Sequence, residues 1–116
     1  MRSFRILIVF LLLSLIVQAQ NKNKNEFERF FKERQRICQD INTPPYGCKG
    51  IPFDFSLNCI NKCVSNKCFN DYYGQNPLLP GEQDSKRERD FKVCVRSLHT
   101  YCRSKLKGDE NYICIY

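Results

Sequence analysis

The chain has little of what metal and nucleophile chemistry needs: His99 is its one histidine, and no Cys-x2-Cys pair occurs in its 116 residues. Thiolate and imidazole clusters of the zinc type are therefore poorly provided for. No Gly-rich phosphate loop or nucleophile elbow appears, which removes the usual nucleotide-binding and serine-hydrolase signatures. No Asn-x-Ser/Thr sequon is present, so N-glycans are not expected. Past residue 17 no apolar run approaches the roughly 20 residues that span a bilayer.

What the chain does have is eight cysteines: Cys38, Cys48, Cys59, Cys63, Cys68, Cys94, Cys102 and Cys114. They stand behind a leader made of Arg2 and Arg5, the apolar runs Ile6–Phe10 and Leu11–Val17 broken only by Ser14, and Val17-Gln18-Ala19. A charged start, a short apolar stretch and a small residue at the end make an export signal, with cleavage expected after Ala19. An uncleaved anchor is the alternative. Residues 20–116 would then be secreted into an oxidising, extracellular space. There an even cysteine count in a small chain reads as a disulfide framework, since too little apolar surface is available to hold the fold by packing alone. Cleavage removes Arg2 and Arg5 and lowers the formal charge from +7 to +5.

Residues 20–25 carry no apolar side chain and are expected to form a flexible tail ahead of one stapled domain, 26–116. Phe27, Phe30, Phe31, Ile37, Cys38 and Ile41 recur at helical spacing and predict a helix over 26–41, with Asn25 and Glu28 as a capping box and Pro44-Pro45 beyond its end. Residues 43–55 hold three prolines and two glycines and read as a loop around Cys48. A second helix is predicted from a Ser56 cap to about Tyr72, with Leu57, Ile60, Val64 and Cys68 on one side and Gly74 as its stop. A third begins at Ser85, whose Ser85-Lys86-Arg87-Glu88 run fits a capping box. Its apolar stripe is Phe91, Cys94, Val95, Leu98, Tyr101, Cys102 and Leu106. The fold class is thus mainly α: a small disulfide-rich domain of about three helices with a short extended tail over 111–116.

Eight cysteines allow 105 pairings. Along a helix Cys59 and Cys63 stand about 6 Å apart, and Cys94 and Cys102 about 12 Å apart. Antiparallel helices cannot therefore form Cys59–Cys102 and Cys63–Cys94 together within the roughly 4.4–6.8 Å that a disulfide tolerates between Cα atoms. Cysteines on one helix make poor partners for each other. Each is expected to reach the first helix, the Cys48 loop, the other helix or the Cys114 tail.

Catalytic candidates are few. Tyr46-Gly47-Cys48-Lys49-Gly50 resembles the calcium-loop end of secreted phospholipases A2, but those enzymes need a histidine beside an aspartate. His99 is followed by Thr100 and Tyr101, which suggests a boundary histidine on the third helix. Asp84, Glu88 and Asp90 lie among lysines and arginines and read as solvated helix charges rather than a hydrolytic pair. No catalytic, cofactor-binding or metal residue is assigned. Lys86, Arg87, Arg89, Lys92, Arg96, Arg103, Lys105 and Lys107 concentrate positive charge in the third helix. That charge points to an anionic surface or an extracellular protein as partner, and not to nucleic acid. Lys86-Arg87 also fits a dibasic processing site.

Asn58-Cys59, Cys63-Val64-Ser65, Cys68, Tyr72-Tyr73, Asn76-Pro77-Leu78, Gly81-Glu82, Asp84, Arg87 and Phe91-Lys92-x-Cys94 follow the pattern N-C-x3-C-V-S-x2-C … P-L-x2-G-E-x-D-x2-R … F-K-x-C. The run resembles a family of small secreted eukaryotic proteins known only as a domain of unknown function. Asn76 stands where that family has aspartate, and Leu79-Pro80 where it has an acidic pair. The resemblance implies a fixed helix-turn-helix core and no activity. The functional expectation is a secreted, non-catalytic protein that binds an extracellular partner as ligand, modulator or toxin-like effector. The alternatives are a cationic membrane-active defence protein and a degenerate phospholipase-like enzyme.

Overall fold

A computed structural model of the chain describes residues 1–40, 47–109 and 111–116, and the backbone alone at Phe53. Ile41, Pro44, Pro45 and Tyr46, named above, lie outside the described residues, as does the start of the loop expected over 43–55. Those described form four helices and no strand: α1 (Arg2–Asp40), α2 (Phe53–Val64), α3 (Asn66–Tyr72) and α4 (Ser85–Leu106). The chain divides into two units, Met1–Phe30 and Phe31–Tyr116, the division falling inside α1.

In the first unit, residues 1–25 are all exposed. The most apolar stretch of α1 has a mean hydropathy of 2.0, long and apolar enough to cross a membrane, as a signal sequence also is. Residues 20–25, expected as a flexible tail, are helical here. The apolar N-terminal stretch supplies the helix nucleus, and each further residue adds one backbone hydrogen bond without a new nucleation cost. Asn25 is accordingly an interior residue of α1 and not a cap.

The second unit holds the core. Phe31 and Cys38 of α1, Ile60 and Val64 of α2, Cys68 and Phe69 of α3, Tyr73, and Phe91, Val95 and Cys102 of α4 are buried. Aromatic rings form its centre: Phe91 meets Phe31 at 6.4 Å and Tyr73 at 5.8 Å, both edge-on, and Tyr73 stacks on Phe69 at 5.7 Å. Edge-on and offset contacts set the positive ring edge against a negative face. Several residues of the expected stripes are exposed: Ile37, Leu57, Tyr101 and Leu106.

The predicted second helix is two helices. Ser65 adopts an extended conformation (φ −154°, ψ 107°) and serves both ends: its N–H donates to Asn61 O as the cap of α2, and its Oγ accepts from Cys68 N at 3.2 Å as the N-cap of α3. The fully buried hydroxyl thus satisfies one of the orphan donors of α3. The break escapes a reading by periodicity because Val64 and Cys68 keep helical spacing across it.

Two other starts differ from expectation. α2 begins at Phe53, after Pro52, rather than at a Ser56 cap, and Pro fits because its missing N–H is not needed there. α4 is capped by Asp84, not Ser85: Asp84 Oδ1 accepts from Arg87 N at 3.0 Å. Aspartate outdoes serine here because its second oxygen also takes the Arg87 side chain. Past α3, a Cβ on Gly74 would lie 2.6 Å from Asn70 O, so the chain can leave the helix this tightly only through glycine.

All eight cysteines are paired: Cys38–Cys63, Cys48–Cys59, Cys68–Cys94 and Cys102–Cys114, with Cα separations of 5.6–5.9 Å. Each bond joins a helix to a different segment: α1 to α2, loop to α2, α3 to α4, and α4 to the tail. Neither Cys59–Cys102 nor Cys63–Cys94 is formed. Four disulfides suit an oxidising compartment.

Candidate functional site

The residues of the sequence pattern converge on the connection between α3 and α4. Asn58, on α2, clamps that connection at two points: its side-chain amide donates to Leu78 O at 2.8 Å and its carbonyl accepts from Leu78 N at 3.0 Å. The next residues make a tight turn. Glu82 N donates to Leu79 O at 2.9 Å, Pro80 takes the second position, and Gly81 the third, at φ +74°. Proline followed by a residue with positive φ is the demand of a type II turn, which glycine meets without steric cost. Glu82 Oε2 also accepts from Leu79 N at 2.8 Å and closes the turn again through its side chain.

Arg87 ties this turn to the helices. Its Nε donates to Asp84 Oδ2 at 2.7 Å, its Nη1 to Asn76 O, and its Nη2 faces Glu82 Oε1 at 3.5 Å. The guanidinium lies over the Tyr73 ring, 5.0 Å from its centroid. A planar fork suits this many directions at once in a way an ammonium does not. The backbone N–H and side chain of Arg87 hold the Asp84 carboxyl below its usual range. Burial pushes the Tyr73 hydroxyl up. An open cleft of about 690 Å³ lies over the network, lined among others by Tyr72, Gly74, Asn76, Leu79, Glu82 and Arg87.

Replacing Arg87 by alanine should destabilise the fold by about 2–3 kcal/mol, because it removes hydrogen bonds to the connection and the contact with a buried ring. Lysine should recover less than half. Urea denaturation of the three proteins checks this.

A second network gathers His99. Its Nδ1 and the Tyr116 hydroxyl are 3.2 Å apart, with the rings stacked at 6.4 Å. Arg34 of α1 lies over the Tyr116 ring, 4.8 Å from its centroid. Arg34 also caps the end of α2, donating from Nε to Val64 O at 3.0 Å and from Nη2 to Cys63 O at 3.2 Å. These are carbonyls that the helix itself leaves unsatisfied. Half-burial pushes the Arg34 pKa down, and burial pushes the Tyr116 hydroxyl up. Tyr116 O accepts from Asn66 N at 3.2 Å, so the tail is tied at the start of α3 as well as at Cys114.

Sequence reasoning missed Arg34 and Tyr116. A signal for Arg34 existed: Phe31, Arg34 and Cys38 share one helical stripe, and a cation on an apolar stripe needs a partner. Tyr116 carried none, since its contacts come from other elements.

The acidic residues do not converge. Asp84 and Glu82 face Arg87, while Asp90 pairs with Lys86 at 2.8 Å. Among the described residues no group of three or more His, Cys, Asp or Glu is arranged to hold a metal ion. In the five-residue run around Cys48, Tyr46 lies outside the described residues, and the disulfide to Cys59 accounts for Cys48.

No curated protein and no solved structure matches the chain. A family does match, over residues 28–94, a span within which the Cys38–Cys63, Cys48–Cys59 and Cys68–Cys94 bonds all close and the Arg87 network lies. The chain belongs to the family described as Domain of unknown function (DUF4787).

Proposed function

We propose that the chain is exported, loses residues 1–19, and acts without catalysis as a secreted domain that binds an extracellular partner. One observation carries the reading: the polar residues of the family span, Asn58, Ser65, Glu82, Asp84 and Arg87, are engaged in holding helices and the connecting turn in place. Residues used in this way define a rigid surface rather than a reaction centre. The leader and the four disulfides fit an exported route. The membrane-active alternative rests on the charge of α4, whose Phe91, Val95 and Cys102 are engaged in the core. The phospholipase-like alternative would need His99 as a base, and this imidazole meets a tyrosine hydroxyl.

Expression of the full chain in cultured cells tests the reading. The expected result is protein in the medium that begins at Gln20 and binds saturably to target cells, with His99→Ala leaving that binding unchanged. A retained chain with its leader intact would defeat the export claim. Lipid hydrolysis that disappears in a folded His99→Ala variant would defeat the non-catalytic one.

A further inference from the structure

Helix α4 changes character along its length. Its first turns mix signs, but from Phe91 to Gly108 there is no aspartate or glutamate, while Lys92, Arg96, Arg103, Lys105 and Lys107 are all basic. At 3.6 residues per turn, Arg89, Lys92, Arg96, Arg103 and Lys107 fall within about 60° of helix circumference, along a line of about 27 Å. Arg89, Arg96, Arg103 and Lys107 are exposed and Lys92 half-buried. Arg96, Arg103 and Lys107 lie beyond the family span.

We propose that this face of α4 binds a linear sulfated polysaccharide laid along the helix, which deepens the reading of a secreted binding domain and rests on it. The charge is complementary and linear, and three of the five groups are arginines, whose planar fork matches a sulfate's oxygens in pairs. A lipid surface fits less well. A helix lying on a membrane buries its own apolar face in the lipid, and here Phe91, Val95 and Cys102 face the protein core. Binding of this kind releases counterions from the polyanion, so it weakens steeply with salt.

The test takes whatever form cells expressing the full chain yield, released or extracted, and compares immobilised heparin with a sulfonate exchanger. The natural protein should elute from heparin at the higher salt. The variant carrying Arg96→Gln, Arg103→Gln and Lys107→Gln should lose affinity for heparin at least about tenfold, with a salt slope lower by about two to three. A control with Lys49→Gln, Lys62→Gln and Lys67→Gln, losing the same charge elsewhere, should stay within about twofold. Retained helical circular dichroism verifies both folds. Equal losses in the two variants, or equal elution of the natural protein from the two resins, would show a net-charge effect and overturn the proposal. So would binding to phosphatidylserine vesicles by a protein that passes heparin unretarded. Retention of the chain in cells would speak against export alone, since the column result is read on the extracted protein.

Discussion

Phe91→Ala is expected to destabilise the second unit by about 4 kcal/mol, enough to leave much of a small domain unfolded at body temperature. The side chain is 1% exposed and is the meeting point of Phe31 from α1 and Tyr73 after α3. Removing it deletes the apolar transfer of a whole ring and leaves a cavity. The cavity walls are aromatic rings on chain segments tied by Cys38–Cys63 and Cys68–Cys94, so they cannot collapse into the space. Phe91→Leu keeps most of the volume and should cost about half as much. Thermal unfolding followed by circular dichroism, under oxidising conditions, compares the three proteins. A loss below about 1 kcal/mol for alanine would mean that Phe91 is not the centre of the core.

Replacing Cys68 and Cys94 together by serine is expected to cost about 3.5 kcal/mol, from the loop entropy restored to the unfolded chain by opening a closure of 26 residues. The bond is also the covalent tie between α3 and α4. Cys68 is fully buried, so a serine hydroxyl there would also need a new partner. The Cys102→Ser and Cys114→Ser pair should do less, since it closes only 12 residues and holds the tail rather than the core. Guanidinium denaturation gives the comparison. An equal loss in the two variants would contradict the assignment of the core to the α3–α4 contact.

Much of this fold was legible from local pattern. The 3.6-residue recurrence of Phe91, Val95 and Cys102 is enough to place α4. The cysteine distances along the helices ruled out Cys59–Cys102 and Cys63–Cys94 together but left either one open, and the structure forms neither. Where the reading failed, the deciding interaction came from outside the segment. Ser56 and Ser85 are good caps by type, but Pro52 and Asp84 hold those positions because of what lies before and beside them. Ser65 interrupts a helix whose apolar spacing continues through it. Leu57, Ile37 and Tyr101 fit their stripes and are exposed, because a stripe is wider than the surface that covers it in so small a domain.

By itself, then, the sequence determined the class of molecule: a small, basic, mainly helical domain whose eight cysteines pair, behind an apolar N-terminal stretch. Those properties depend on composition and on spacing along one helix, and neither requires knowledge of neighbours. Tertiary structure alone decided which cysteine meets which, that Arg87 serves as the hub of a turn, and that His99 and Arg34 both meet Tyr116. These pairings depend on groups far apart in the chain reaching hydrogen-bond or ring distance, which local propensity does not encode. The same holds for the basic line on α4. Its spacing is in the sequence, but only the burial of Phe91, Val95 and Cys102 shows which side of the helix is turned outward.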